Sequence, residues 1–213
     1  MKTLVCFGDS NTHGTVPMRF LGDRRRYDRT VRWPGVAAKN LGAQWQVIEE
    51  GHPGRTTVHD DPIEGAYKNG LPAISVAMET HRPVDVIAIL LGTNDLKTRY
   101  SVTAQDIAIS VDKLIATALA SQGGPDNGAP QVLLIAPPPI IETGCLKDIL
   151  QGGAAKSTAL GGLLGKIAAA RSIPYLDAGM VIQSSPTDGI HWEPDDHAAL
   201  GQAIAGCVSE NWG

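Results

Sequence analysis

Five short apolar runs constrain this chain more than any other feature of it. They occupy residues 4–7, 46–48, 84–91, 131–136 and 173–176. The longest, Val-Asp-Val-Ile-Ala-Ile-Leu-Leu, lies between Pro83 and Gly92, and the run 131–136 stops at Pro137-Pro138-Pro139. Runs that are continuous rather than alternating belong to strands covered on both faces. Helical spacing fills the gaps. Ile107, Val111, Leu114, Ile115 and Ala118 share one helical face, as do Leu160, Leu163, Leu164, Ile167 and Ala168. A third face holds Leu200, Ala203, Ile204, Cys207 and Val208, and weaker helices are expected over 33–41 and 71–81. A strand–helix unit repeated five times predicts an α/β fold. It is a three-layer α/β/α sandwich around a five-stranded parallel sheet with right-handed crossovers. The 213 residues suffice for one such domain, 1–213, and are short for two.

Composition narrows the partners. The net charge of −4 argues against duplex nucleic acid, which calls for a basic face. The one basic run, Arg24-Arg25-Arg26 with Arg19, Arg29 and Arg32 near it, is expected to be a solvated loop or subunit contact paired with Asp23 and Asp28. Only the apolar Leu4 to Phe7 separate Met1-Lys2-Thr3 from Gly8, too short a stretch for the apolar part of a leader peptide, and no run approaches the ~20 residues of a membrane span. Cys6, Cys145 and Cys207 are an odd, widely spaced set with no metal spacing, so a reducing cytoplasm, no metal and no cofactor are expected.

In open parallel sheets, ligands bind beyond the carboxyl ends of the strands. The residues there decide the chemistry. After the first strand comes Gly8-Asp9-Ser10-Asn11, which puts a serine at a strand-to-helix turn where backbone N–H groups favour negative charge. Alone it is a weak signal, since serine also serves as a helix cap. After the second comes Gly51-His52-Pro53-Gly54, where a glycine lets its N–H approach a ligand. After the third comes Gly92-Thr93-Asn94-Asp95, whose asparagine amide can donate to an oxyanion. Before the last helix comes Asp188-Gly189-Ile190-His191-Trp192, a carboxylate three residues ahead of a histidine. Singly, each reads nearly as well as a turn or cap. Together they fall at one end of one sheet and supply nucleophile, base, acid and oxyanion donors for acyl transfer.

These blocks resemble the SGNH, or GDSL, hydrolases. The four residue types that name that family match Ser10, Gly54, Asn94 and His191, in the family's order and across nearly the whole chain. The flanks Val31-Arg32-Trp33, Ile48-Glu49-Glu50-Gly51, Arg55-Thr56-Thr57 and Pro137-Pro138-Pro139 are similar to the bacterial arylesterase and acyltransferase (perhydrolase) branch. The resemblance implies a flavodoxin-like strand order 2-1-3-4-5. It also implies a homo-oligomer, with octamers known in the branch. It further implies a serine esterase acting on short-chain aryl or acetyl esters, with Ser10, Asp188 and His191 catalytic. The oxyanion hole would come from Ser10, Gly54 and Asn94. Asn11 stands where the family usually has Leu, and His13 and Thr15 are more polar than in the acyltransferase members, which argues against strong acyl transfer in water.

Asn11, His13, His52 and Trp192 are the candidate substrate-binding residues, Trp192 being equally readable as an ordinary buried tryptophan. Asp9 and Asp95 read as structural carboxylates, and His197 as a solvent-facing position on the last helix. The irregular stretches 15–32 and 140–153 are expected to shape the pocket. The alternatives are a carbohydrate O-acetyl esterase with the same machinery and, in a different class, a non-catalytic ligand-binding module. A phosphotransferase using Asp9 lacks a second carboxylate beside it.

Overall fold

A computed structural model describes residues 1–213. Strands β1 (Lys2–Gly8), β2 (Trp45–Gly51), β3 (Val86–Leu90), β4 (Gln131–Ala136) and β5 (Tyr175–Asp177) form one parallel sheet. Its order, β2-β1-β3-β4-β5, is the one the resemblance implied. The helices are α1 (Ser10–His13), α2 (Trp33–Leu41), α3 (Gly70–His81), α4 (Ala104–Ala120), α5 (Gly153–Arg171) and α6 (Pro194–Trp212).

The sheet is covered on both sides, as continuous apolar strands require. Val5, Phe7, Ile87, Ile89, Val132 and Leu134 face α3, α4 and α5, meeting Ile74, Met78, Val111, Leu114 and Leu164. The alternate positions Leu4, Cys6, Val86, Ala88, Leu90 and Leu133 face α2 and α6, meeting Trp33, Leu200, Ile204 and Val208. The period of two within each strand sorts one set from the other. A third cluster of Leu96, Ile107, Ile140, Leu150, Leu160 and Ile190 lies at the carboxyl end of the sheet and anchors the stretch 140–153.

The limits of the elements shift where hydrogen bonding overrides hydropathy. β2 continues through the polar Glu49-Glu50-Gly51 because it pairs residue by residue with β1. β3 is shorter than its apolar run: Val84 N–H bonds Gly123 instead of a neighbouring strand. β5, an edge strand, begins after Pro174. The expectation that His197 faces solvent is overturned. The residue is fully buried, because position 197 precedes Leu200 and Ile204 by three and seven residues and shares their inward face.

The arginine run is paired differently from expectation. Arg25 takes Asp23 at 2.6 Å, but Asp28 takes no arginine side chain. Arg26, Arg29 and Arg32 instead converge on Glu49 at 3.5, 3.3 and 2.7 Å, clamping the stretch 15–32 onto β2.

Candidate active site

β1 delivers its chain into a sharp turn. A side chain on Gly8 would press within 2.1 Å of Thr12 Oγ1, so only glycine lets the strand meet α1 this closely. Asp9 caps α1, its Oδ1 accepting the Asn11 N–H at 2.9 Å, and Ser10 begins the helix at the edge of a cavity. The Arg55 guanidinium sits beneath this turn. It donates to Gly8 O at 3.0 Å and to Glu50 O, and lies 4.2 Å from the centre of the Phe7 ring. Burial lowers its pKa to about 10, still charged at neutral pH.

The block after β2 turns through Gly54 at φ +81°, a left-handed conformation that suits glycine. Asp95, after β3, holds this block. Its two oxygens accept Thr57 N–H at 3.1 and 3.0 Å, and the Thr57 hydroxyl donates to it as well. Burial raises Asp95 to about 7 against those bonds. Asn94 lies beside Asp9, its Nδ2 donating to Asp9 Oδ2 at 3.2 Å. Both carboxylates thus tie loops together.

Asp188 is fully buried. Its Oδ1 accepts the Ile190 and His191 N–H groups at 3.1 and 3.0 Å, and its Oδ2 accepts His191 Nδ1–H at 2.6 Å. Met18 N–H also donates to Oδ2, at 2.5 Å, which attaches the stretch 15–32 to this carboxylate. Burial pushes the Asp188 pKa up, but the bond and charge of His191 and the backbone donors outweigh it and hold it below the usual range. The other ring nitrogen, His191 Nε2, is buried without a partner. With Nδ1 committed to the carboxylate, Nε2 carries the lone pair of a base.

Ser10, Gly54, Asn94 and His191 line one cavity of about 680 Å³. Its walls differ. Met18, Leu146, Ile149 and Leu150, from the stretches 15–32 and 140–153, make an apolar side. His52, Glu64, Lys68, Lys97 and Arg99 make a polar one. Of the candidate substrate-binding residues, His13 and His52 line the cavity, and Asn11 and Trp192 stand behind it. Asn11 Nδ2 donates to Ile190 O at 2.9 Å, and Trp192 is fully buried against His197. Both lining histidines are held neutral: burial, with Arg26 and Arg32, lowers His13 to about 4, and burial with Lys68 lowers His52. No group of three or more histidine, cysteine or acidic side chains is placed to hold a metal ion.

Apart from His52, the residues of the polar wall carry no expectation from the sequence. Asp61 organises it, accepting from the Ile63 and Glu64 N–H groups and from Tyr100 Oη, and pairing with Lys97 and Arg99. Its local bonds, to the Ile63 and Glu64 N–H groups, are those of an ordinary turn, and its other partners Lys97, Arg99 and Tyr100 lie far along the chain. Only Glu64 and Lys68, four residues apart, carry a short-range signal.

Residues 6–200 match the GDSL-like lipase/acylhydrolase family, and the chain belongs to it. The structure of an M. smegmatis aryl esterase is 38% identical, covering 99% of each chain at a TM-score of 0.94. A carbohydrate acetylesterase from Sinorhizobium meliloti is 36% identical over 100% of each chain, at 0.95. A putative arylesterase from Agrobacterium tumefaciens str. C58 is 34% identical over 99% of each, at 0.89. Among curated protein sequences, none matches the chain. The protein is a carboxylic ester hydrolase, and no helix in it is long and apolar enough to cross a membrane.

Proposed function

We propose that the protein hydrolyses short-chain aryl or acetyl esters through an acyl-enzyme on Ser10. One observation carries the reading. The buried Asp188–His191 pair leaves Nε2 of His191 without a partner, and His191 and Ser10 line the same cavity.

In this mechanism Ser10 Oγ attacks the ester carbonyl while His191 Nε2 takes its proton. Asp188 fixes the ring by its bond to Nδ1 and stabilises the imidazolium that forms. The N–H groups of Ser10 and Gly54 and the Asn94 amide receive the oxyanion, each such donor contributing ~2.7–4 kcal/mol to the transition state. His191 returns the proton to the leaving alcohol. Water, activated by the same histidine, then attacks the acyl-enzyme and releases the acid. An alcohol or hydrogen peroxide competes as acceptor only so far as this cavity keeps water out. His13 and His52 serve as neutral hydrogen-bonding contacts to the substrate. Asn11 and Trp192 act from behind, bracing Ile190 and the His191 loop.

A carbohydrate O-acetyl ester is the second reading. The polar wall of His52, Glu64, Lys68, Lys97 and Arg99 suits a hydroxylated alcohol part, and one of the similar structures is a carbohydrate acetylesterase. The oligomer implied by the arylesterase branch is supported by Phe20, Leu21, Ile63 and Tyr67, which are 61–77% exposed, Leu21 and Tyr67 also lining the cavity. Sedimentation that finds only monomers removes that part.

The test is hydrolysis of 4-nitrophenyl esters of increasing acyl length by wild type and Ser10→Ala in the presence of a chelator. Turnover by wild type, best with acetyl or propionyl and abolished in Ser10→Ala, is expected. Unchanged turnover in Ser10→Ala overturns the nucleophile. Inactivity of the wild type on every aryl ester, with activity on acetylated sugars, selects the second reading.

A further inference from the structure

We infer that the natural ester carries an anionic group, such as a carboxylate, on its alcohol part, bound by the cavity-lining cations Lys68, Lys97, Arg99 and Arg24. The inference rests on the esterase reading above and extends it to substrate class.

Size comes first. Cavities of roughly 300–1,000 Å³ enclose drug-sized ligands. An acetyl or propionyl group seated at Ser10 leaves most of the 680 Å³ to the alcohol part. That part therefore meets whatever lines the remainder.

Charge comes next. Four cations line the cavity, Arg24, Lys68, Lys97 and Arg99, against two carboxylates, Asp23 and Glu64. Asp23 is already neutralised by Arg25, which does not line the cavity, at 2.6 Å. Arg24 is left without a carboxylate. Glu64 is shared among three cations: Lys97 at 2.7 Å, Arg99 at 3.3 Å and Lys68 at 3.7 Å. Asp61, behind the wall, pairs with Lys97 and Arg99 at 3.5 and 3.4 Å but does not reach the cavity. With Arg25 and Asp61 counted beside their partners, five cations meet three carboxylates, an excess of two positive charges in a protein whose net charge is −4. His13 and His52 add none at neutral pH, being held neutral. A concave surface of one sign with low-dielectric walls concentrates the opposite sign and raises association rates.

The arrangement is also built rather than incidental. Lys97 and Lys68 are more than nine-tenths buried. Burying cations costs free energy unless partners compensate it. A neutral alcohol would be served as well by serines and asparagines, without that cost.

The test compares two acetyl esters of matched size, 4-acetoxybenzoate and its neutral methyl ester, with kcat/KM normalised to each ester's rate with hydroxide. At low salt the carboxylate is expected to be favoured about tenfold, the lower end of electrostatic steering. Raising NaCl to about 0.5 M shortens the screening length to a few ångström and should reduce the ratio towards one, acting through the anionic ester. Arg24→Gln lowers the ratio and Arg24→Glu lowers it further. Arg24 is exposed, so neither change threatens the core. Arg99→Gln acts in the same direction. A normalised ratio at or below one, indifferent to salt and to Arg24→Glu, overturns the inference while Ser10-dependent turnover of the neutral ester leaves the esterase reading intact. If neither ester is turned over, the aryl-ester reading fails and the inference, which is built on it, fails with it.

Discussion

Asn94 Nδ2 donates to Asp9 Oδ2 at 3.2 Å, joining two residues 85 positions apart in the sequence. The other oxygen of Asp9 accepts Asn11 N–H at 2.9 Å. One buried carboxylate therefore fixes both the turn that bears Ser10 and the amide expected to receive the oxyanion. One amide hydrogen of Asn94 is committed to Asp9, leaving the second for the cavity. Asn94→Ala should lower kcat about 10²–10³-fold with little change in KM, the cost of losing one oxyanion donor. Asp9→Ala should lower kcat by a smaller factor, through a misdirected amide. If both act through that donor, the double variant will fall well short of the product of the singles. Losses that simply multiply in the Asp9/Asn94 cycle would sink the coupling.

Asp188 does two jobs at once. It takes His191 Nδ1–H and also Met18 N–H from the stretch 15–32. Asp188→Asn keeps the shape but turns an amide N–H towards one of these donors, so the histidine loses its fixed tautomer. A fall of roughly 10⁴-fold in kcat is expected by analogy with serine hydrolases in general. The Met18 amide should also exchange its hydrogen with solvent faster, since its acceptor is weakened. Slower turnover with unchanged Met18 exchange would separate the two roles and remove the structural one.

Gly54 offers a sharper contrast between activity and stability. At φ +81°, a Cβ there would stand 2.8 Å from Glu64 Oε2 and 3.2 Å from Lys68 Cε. Both are far ends of long side chains and can withdraw, so Gly54→Ala should cost about 1–2 kcal/mol, mostly backbone strain. The same shift moves the N–H expected at the oxyanion. We expect kcat to fall on the order of tenfold or more while Tm drops only a few degrees. Thermal melts and steady-state kinetics on one preparation decide it, and unaltered kcat would take Gly54 out of the oxyanion hole.

The sheet was legible because its signals are local. Val86 to Leu90 are apolar in sequence and buried in the sheet, and the helical faces of α4 and α6 follow from spacing alone. Ser10, Gly54, Asn94 and His191, which line one cavity, could be read as candidates because each sits at a strand end or just before a helix, where the fold gathers ligands. The tethers were not legible. The Asp9–Asn94 and Thr57–Asp95 bonds, the Glu49 clamp on three arginines and the Asp61 network all join distant segments, and no periodicity marks them. His197 was misread although its spacing to Leu200 was available. A polar residue was assigned outward by type, when position on the helix should have ruled.

His197 carries the last expectation. Its ring is fully buried between Tyr27 and Trp192, with Nδ1 accepting Trp33 N–H at 3.3 Å and Nε2 unpartnered. Burial, with the charges of His191 and Arg32, lowers its pKa from 6.5 to about 3. The unfolded chain therefore binds a proton here that the native state refuses. Folding stability rises with pH across this window and is lost as pH falls from 6.5 towards the native value. At 1.36 kcal/mol per unit, the loss by about pH 4 is on the order of 3 kcal/mol. His13 shifts the same way, to about 4, but is only half-buried, so solvent screens its share. His197→Gln keeps an acceptor for Trp33 N–H and cannot titrate. It should lower stability at pH 7 yet flatten the dependence between pH 6.5 and 4, measured by urea unfolding at several pH values. Parallel curves for wild type and His197→Gln would mean that the proton is taken elsewhere, with His13 the next group to test.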